Sequence, residues 1–329
     1  MTIKPTFPDA APVALDTAAP ETAALAFLDD VRAGLSRPQK ALSPKYFYDA
    51  AGSDLFEAIT RLPEYYPTRT EIGILDRSGP EIAALLPAHA ALVEFGSGST
   101  VKLRRLLEHL DTLAAYVPVD VSGTFLKSQA EALKADLPQL RVEPVVADFT
   151  RDFDLPQSLD GLPRAGFFPG STIGNFEPAE AEGLLRRFGR ILGEGAHMIV
   201  GVDLVKDTAT LERAYDDAAG VTAAFNLNLL TRINRELAGR FDLDAFTHRA
   251  VFDPSASRIE MHLVSRNAQD VRVGSDTFAF AEGETIHTES SYKYTVATFQ
   301  ALAERAGWTW LKVWTDPQGL FSVHALRLD

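Results

Sequence analysis

The sequence predicts an α/β fold: a doubly wound, mostly parallel sheet with an α+β segment inserted before its last elements. Three observations carry this. A short apolar run, a glycine turn and a helix start follow one another in Ala91-Leu92-Val93-Glu94-Phe95-Gly96-Ser97-Gly98-Ser99-Thr100. Apolar runs then alternate with helical patterns as far as Asp203. The alternation breaks from Lys206 and returns near Val296 with a helix and two strands. Ala91, Leu92 and Val93 suit a parallel strand covered on both faces. Gly96 and Gly98 let the backbone turn sharply and come close to a ligand.

In order along the chain, residues 1–20 are rich in Ala, Pro and Thr and read as a poorly ordered tail. A helix is expected from Glu21, because Ala24, Leu25, Phe27, Leu28, Val31 and Leu35 recur at helical spacing. Tyr46, Tyr48, Tyr65 and Tyr66 then stand among prolines, a set that reads as an aromatic lid with hydroxyl handles. Beyond the first strand the pattern predicts helices over 103–113, 122–135 and 180–192. It predicts strands over 116–119, 145–149, 166–168 and 197–203. Residues 206–238 read as helical, and 258–264, 278–284 and 285–292 as strands. A helix over 296–306 and strands over 308–314 and 320–328 finish the chain.

The 329 residues can bury a full core and hold two domains. A net charge of −13 argues against a nucleic-acid surface, where phosphates demand a basic patch. The absence of cysteine excludes disulfides and thiolate metal sites and fits a reducing cytosol. The seven histidines show no close metal-ligand spacing, so no metal is expected. No apolar run reaches membrane-spanning length. The expectation is a cytoplasmic monomer that works on a small molecule, without membrane or nucleic-acid partners.

The ligand follows from the strand ends. The dinucleotide fingerprint wants a third glycine where this chain has Val101. Glu94, Asp120 and Asp148 instead place carboxylates at three successive strand ends, with Phe149 available to flank an adenine. Any one of them reads as ordinary capping or turn chemistry. Three in series, with no Arg at the turn, suit a cationic, phosphate-free adenosine ligand, S-adenosylmethionine rather than NAD. The loop Pro169-Gly170-Ser171-Thr172-Ile173-Gly174-Asn175-Phe176 faces the same crevice, since ligands gather outside the carboxyl ends of parallel strands. A helix and an antiparallel hairpin after five parallel strands is the usual finish of class I methyltransferase-type sheets; dehydrogenase sheets usually end with a parallel strand.

Longer strings carry a resemblance. They are Phe47-Tyr48-Asp49, Gly52-Ser53-Asp54-Leu55-Phe56, Leu62-Pro63-Glu64-Tyr65-Tyr66-Pro67-Thr68-Arg69-Thr70-Glu71, Gly170-Ser171-Thr172-Ile173-Gly174-Asn175, Asp203-Leu204-Val205-Lys206-Asp207 and Tyr215-Asp216-Asp217-Ala218-Ala219-Gly220-Val221-Thr222. With these the chain resembles the bacterial L-histidine Nα-methyltransferases of ergothioneine biosynthesis over nearly everything past residue 20. The resemblance implies a methyltransferase domain, 21–204 and 294–329, interrupted by a substrate-binding domain, 205–293. It implies that Tyr48, Gly96, Lys102, Asp120, Asp148 and Phe149 hold S-adenosylmethionine. Asn175 and Tyr215 would take the substrate carboxylate, with Gly170 beside the amino group. Tyr65, Met261, Glu289 and Ser291 would surround the imidazole.

The residues themselves add that Glu289 and Ser291, two apart on a strand, point the same way. A buried carboxylate there rewards a ring that donates an N–H. The implied reaction is trimethylation of the α-amino nitrogen of free L-histidine to hercynine. Tyr48 and Asn175 would orient the amine lone pair. Rival readings are a same-fold enzyme acting on another aromatic amino acid or amine, a non-catalytic binding module, and an NAD-dependent oxidoreductase.

Overall fold

The computed structural model describes residues 20–98 and 100–329, so the expected tail lies outside the described residues except for Pro20. Helix α1 (Pro20–Leu35) leads through strand β1 (Lys40–Ala41) to α2 (Ala50–Ile59) and α3 (Tyr66–Leu85). The chain then runs β2 (Ala91–Phe95), α4 (Thr100–Leu107), β3 (Ala115–Asp120), α5 (Gly123–Asp136), β4 (Val145–Val146), β5 (Arg164–Phe168), α6 (Pro178–Leu192) and β6 (His197–Asp203). Next come α7 (Thr208–Tyr215), α8 (Val221–Glu236), β7 (Phe246–Asp253), β8 (Arg258–Ser265), β9 (Gln269–Val273), β10 (Asp276–Phe280) and β11 (Thr285–Tyr292). Helix α9 (Val296–Arg305) and the strands β12 (Trp308–Thr315) and β13 (Phe321–Leu328) close the chain.

The main sheet has the order β12-β13-β6-β5-β2-β3-β4. Its five strands from β6 to β4 are parallel, and β13 runs antiparallel to both of its neighbours. Every residue of β2 is buried, because helices cover both faces of the sheet. The doubly wound sheet and its terminal hairpin are therefore as expected.

Several boundaries differ, each for a physical reason. The helix expected over 103–113 stops at Leu107, and turns closed by His109 N–H to Leu106 O (3.1 Å) and Leu110 N–H to Leu107 O (3.2 Å) follow. The strand expected over 145–149 keeps only Val145 and Val146. The last ladder bond runs from Ala147 N–H to Asp120 O (3.0 Å), and Asp148 then accepts from Thr150 N–H (2.9 Å) and turns the chain away. Residues 206–238 form two helices, because the Asp217 carboxylate takes the N–H groups of Val221 (3.0 Å) and Thr222 (2.7 Å) and starts the second one. The strand expected over 278–284 is β10, displaced to Asp276–Phe280 and paired with β9 as a separate hairpin.

The supposed tyrosine lid is largely the start of α3. Pro67 sits in its first turn, where a missing N–H costs nothing. Tyr66 is buried at that start, and Tyr46 stacks on Phe27 of α1 with ring centroids 4.0 Å apart. Only Tyr48 and Tyr65 are left to line the cleft.

A second sheet, β1-β11-β8-β7, lies in the segment between the main-sheet strands β6 and β13, with β1 lent to it by the N-terminal region. One apolar core joins Phe27, Val31 and Leu35 of α1 to Phe225 and Leu229 of α8 and to Met261, Leu263 and Ile286 of the sheet. In β11, His287 pairs with His262 and Glu289 with Met261, so Thr288 is an extra, bulged residue. Its hydroxyl donates to Met261 O at 3.0 Å. The bulge reverses the facing of every later residue. Glu289 and Ser291 thereby join the inward face of Ile286, while His287 and Ser290 share the other face and bond at 2.9 Å. Among the described residues no helix is long and apolar enough to cross a membrane.

Candidate active site

At the carboxyl edge of the main sheet, Gly96 has φ +78°, and a Cβ there would stand 3.2 Å from the Phe149 ring. Phe149 is held edge-on to Phe168, centroids 5.7 Å apart. Asp120 ends β3 and accepts from Ser122 N–H at 2.9 Å; burial raises its pKa. Asp148 is steadied by the Thr150 hydroxyl at 2.6 Å. Gly96, Asp120, Asp148 and Phe149 thus share one corner of the crevice.

Glu94 does not stand free beside them. It is buried, and the hydroxyls of Tyr116 and Ser97 donate to it. Burial pushes its carboxyl up to about 7 against those bonds. Lys102, in the first turn of α4, makes an ion pair with Glu71 at 2.6 Å. The Glu71 carboxylate also accepts from Gly170 N–H at 2.9 and 3.1 Å. Helix α3, the glycine turn's helix and the loop after β5 are clasped together by that one buried acid. A Glu in a helical pattern reads as surface, which is why the sequence did not point to it.

The substrate-side candidates meet across the crevice. Asn175 ends the short 3₁₀ turn Thr172–Asn175. A Cβ at its neighbour Gly174 would come 2.7 Å from Tyr292 O and 3.4 Å from Ser291 Oγ, so the loop after β5 presses directly on β11. Met261 faces Glu289 across the β8–β11 ladder. Tyr65 lies 6.1 Å, edge-on, from Tyr215 and 6.3 Å from Phe56, which in turn abuts Tyr48 at 5.6 Å. Tyr48 is half exposed, and its phenol feels Glu289, Tyr65 and Tyr215. It therefore sits with the substrate-side group. Desolvation raises the phenols of Tyr48, Tyr65 and Tyr215 well above the ordinary tyrosine value. All three consequently stay protonated donors at neutral pH. Glu289 is 9% exposed and receives no hydrogen bond among the described residues. Burial pushes its carboxyl up to about 7, with only Lys293 pulling it down.

Behind this wall lies a charged network that the sequence did not reveal. Asp203 accepts from Tyr66 (2.8 and 2.9 Å) and Lys206 (2.7 Å) and forms an ion pair with Lys293 at 2.8 Å. The Lys293 ammonium, whose side chain is 0% exposed, also donates to Ser291 Oγ at 2.9 Å and Tyr215 Oη at 3.0 Å. A lone Lys next to a strand reads as solvated, so no pattern marks it.

A family model described as "Histidine-specific methyltransferase, SAM-dependent" matches residues 27–328. The chain belongs to that family. It is 46% identical to the histidine N-alpha-methyltransferase of Mycolicibacterium smegmatis, over 93% of this chain and 96% of that one. To the enzyme of the same name from Mycobacterium tuberculosis it is 42% identical, over 91% and 94% of the two chains. To ergothioneine biosynthesis protein 1 of Neurospora crassa it is 28% identical, over 82% of this chain and 31% of that protein.

The crevice of this S-adenosylmethionine-dependent methyltransferase fits its cofactor on its own terms. A Cβ at Gly96 would press on the Phe149 ring at 3.2 Å, so only a glycine lets a flat ligand lie between backbone and ring, and the Asp120 and Asp148 carboxylates flank that place. The nearby cation, Lys102, is already neutralised by Glu71, which suits a cationic ligand and not a phosphate. Gly96→Ala, strained by its φ and by Phe149, is expected to lower S-adenosylmethionine affinity at least about tenfold in calorimetry. Unchanged affinity would remove Gly96 from the site.

Proposed function

We propose that this methyltransferase transfers three methyl groups to the α-amino nitrogen of free L-histidine, giving hercynine, the first step of ergothioneine biosynthesis. We place it in the cytoplasm as a monomer without nucleic-acid partners, in keeping with its net charge of −13. Glu289 carries the substrate reading. Its carboxylate has no protein donor among the described residues and is left to water, so a ring that displaces that water without offering a donor loses about 1–3 kcal/mol or more. An imidazole N–H meets that need; a benzene ring does not.

In this reading the inserted segment 205–293, with α1 and α2 packed into its core, grips the ring between Tyr65, Met261, Glu289 and Ser291. The methyltransferase domain, 21–204 and 294–329, holds S-adenosylmethionine through Gly96, Lys102, Asp120, Asp148 and Phe149, with Tyr48 at its edge. S-adenosylmethionine supplies an electrophilic methyl group. The chain's part is orientation and proximity. Asn175 and Tyr215 take the carboxylate, and Gly170 lies beside the amine. Tyr48 and Asn175 direct the amine lone pair.

The nucleophile is the neutral amine, and α-amino groups titrate at about 8. With their raised pKa values Tyr48, Tyr65 and Tyr215 do not take its proton at neutral pH. The proton leaves through water.

The test incubates the protein with S-adenosylmethionine and a panel of amino acids and reads products by mass. Trimethylated histidine, and no methylated tryptophan, tyrosine or phenylalanine, is the expected result. Methylated aromatic amino acids in its place would establish the rival amine-methylating reading, and no product at all the binding-module reading.

A further inference from the structure

We propose that Lys293 sets the hydrogen-bond polarity of the substrate pocket, obliging Ser291 and Tyr215 to offer protons and so selecting a ring that carries an acceptor nitrogen beside its N–H. The inference rests on the histidine reading and deepens it. Lys293 is a positioning residue, acting through two hydroxyls.

The count of donors and acceptors leads there. A lysine ammonium has three protons and no lone pair. Lys293 donates to Ser291 Oγ (2.9 Å) and Tyr215 Oη (3.0 Å) and pairs its charge with Asp203 Oδ2 at 2.8 Å, so the ammonium is fully committed inside the protein. A phenol serves as one donor and one good acceptor, and Lys293 has filled the acceptor. Tyr215 must therefore donate, and in this arrangement it donates to Ser291 Oγ at 3.1 Å. A serine oxygen has two lone pairs, now taken by Lys293 and Tyr215. One polar valence of the trio is left over: the Ser291 O–H. When Tyr215 turns its proton to a bound carboxylate, its lone pair is still held by Lys293 and it still acts only as a donor; one Ser291 lone pair is freed, yet the Ser291 O–H stays the one proton of the trio without a partner.

Ser291 shares the inward face of β11 with Glu289, whose carboxylate lacks a donor. The wall thus presents one donor and one acceptor, side by side, to whatever ring enters. Neutral imidazole is the complement, with its pyridine-type nitrogen on Ser291 and its N–H on Glu289. A ring with an N–H alone leaves the Ser291 proton buried and unpaired. Without the ammonium, Tyr215 and Ser291 are free to satisfy one another in either direction, and that penalty disappears. Asp203 keeps Lys206 (2.7 Å) and Tyr66 (2.8 Å), so Lys293→Met leaves it paired.

The experiment measures binding of histidine and of pyrrolylalanine, which keeps one ring N–H and replaces the second nitrogen with carbon. Calorimetry on wild type, Lys293→Met and Ser291→Ala supplies the affinities. Wild type is expected to prefer histidine by about tenfold or more, as a site built around a hydrogen bond does. In Lys293→Met the preference should shrink to within about threefold while S-adenosylmethionine affinity stays within about twofold. A preference that survives Lys293→Met, with cofactor binding intact, overturns the inference and leaves the histidine reading standing. Should Lys293→Met lose cofactor binding as well, Ser291→Ala decides: collapse of the preference supports the inference, and an unchanged preference overturns it. A wild type that binds neither ring removes the histidine reading itself, and this inference with it.

Discussion

Glutamine in place of Glu289 should make the ligand-free protein more stable at pH 8 while weakening histidine binding about ten- to a hundredfold, the range for a lost hydrogen bond to a charged group. Burial moves the Glu289 carboxyl from the ordinary 4.5 to about 7, against the pull of Lys293. A carboxyl that ionises less readily in the folded than in the unfolded chain draws stability away as pH rises between those two values. The loss is complete above the folded value and amounts to about 3 kcal/mol at pH 8. The amide never ionises, so thermal unfolding of Glu289→Gln and wild type should differ strongly at pH 8 and little at pH 5. A gap of equal size at both pH values would show that the carboxyl ionises normally. Histidine affinity of the wild type should fall below about pH 7 for the same reason, as the acceptor takes up a proton. S-adenosylmethionine affinity should hardly move in Glu289→Gln or Glu289→Ala; equal losses of both ligands would refute the assigned role.

Asp203→Asn should cost about 3–5 kcal/mol, the usual result of leaving a buried charge without its partner. The carboxylate, 0% exposed, answers two ammonium groups at 2.7 and 2.8 Å. Burial alone would push its carboxyl up, but Lys293 and Lys206 outweigh that and hold it below the ordinary aspartate range. Stability from such a group is fully present above the unfolded value and is lost only as pH falls through the lower, folded one. The deficit of Asp203→Asn should therefore be flat between pH 5 and 7, where that of Glu289 changes. Adding Lys206→Met should restore part of the loss in urea unfolding; a double variant no better than the single one would dismiss the charge argument.

The main sheet was legible because its strands are apolar on both faces, as in Ala91-Leu92-Val93, and because Gly96 marks the turn. Strand β7 was not. Its inward positions are Phe246, His248, Ala250 and Phe252, and a histidine in that row hides the alternation. The structure satisfies His248 with Asn226 at 2.9 Å and Tyr215 O at 2.8 Å, partners far away in sequence. Strand periodicity placed Glu289 and Ser291 on one face together, yet which face depends on the bulge at Thr288, and no side-chain pattern announces an unpaired residue. Residue types at strand ends placed Asp120, Asp148 and Phe149 at one edge of the sheet, but they did not show that Glu94 is taken up by Tyr116 and Ser97. Glu71, Asp203 and Lys293 could not be read from the sequence, because a charge is buried only where tertiary contacts bring it an opposite charge.

The core that joins α1 to α8 and β8 has a consequence for how the protein is made. Translation delivers Phe27, Val31 and Leu35 first and their covering partners, Met261 and Ile286, near the end. The nascent chain must carry that greasy stripe uncovered, or under a chaperone, while the whole nucleotide-binding half is synthesised. A product terminated after Asp203 would keep it permanently bare and should collect in inclusion bodies.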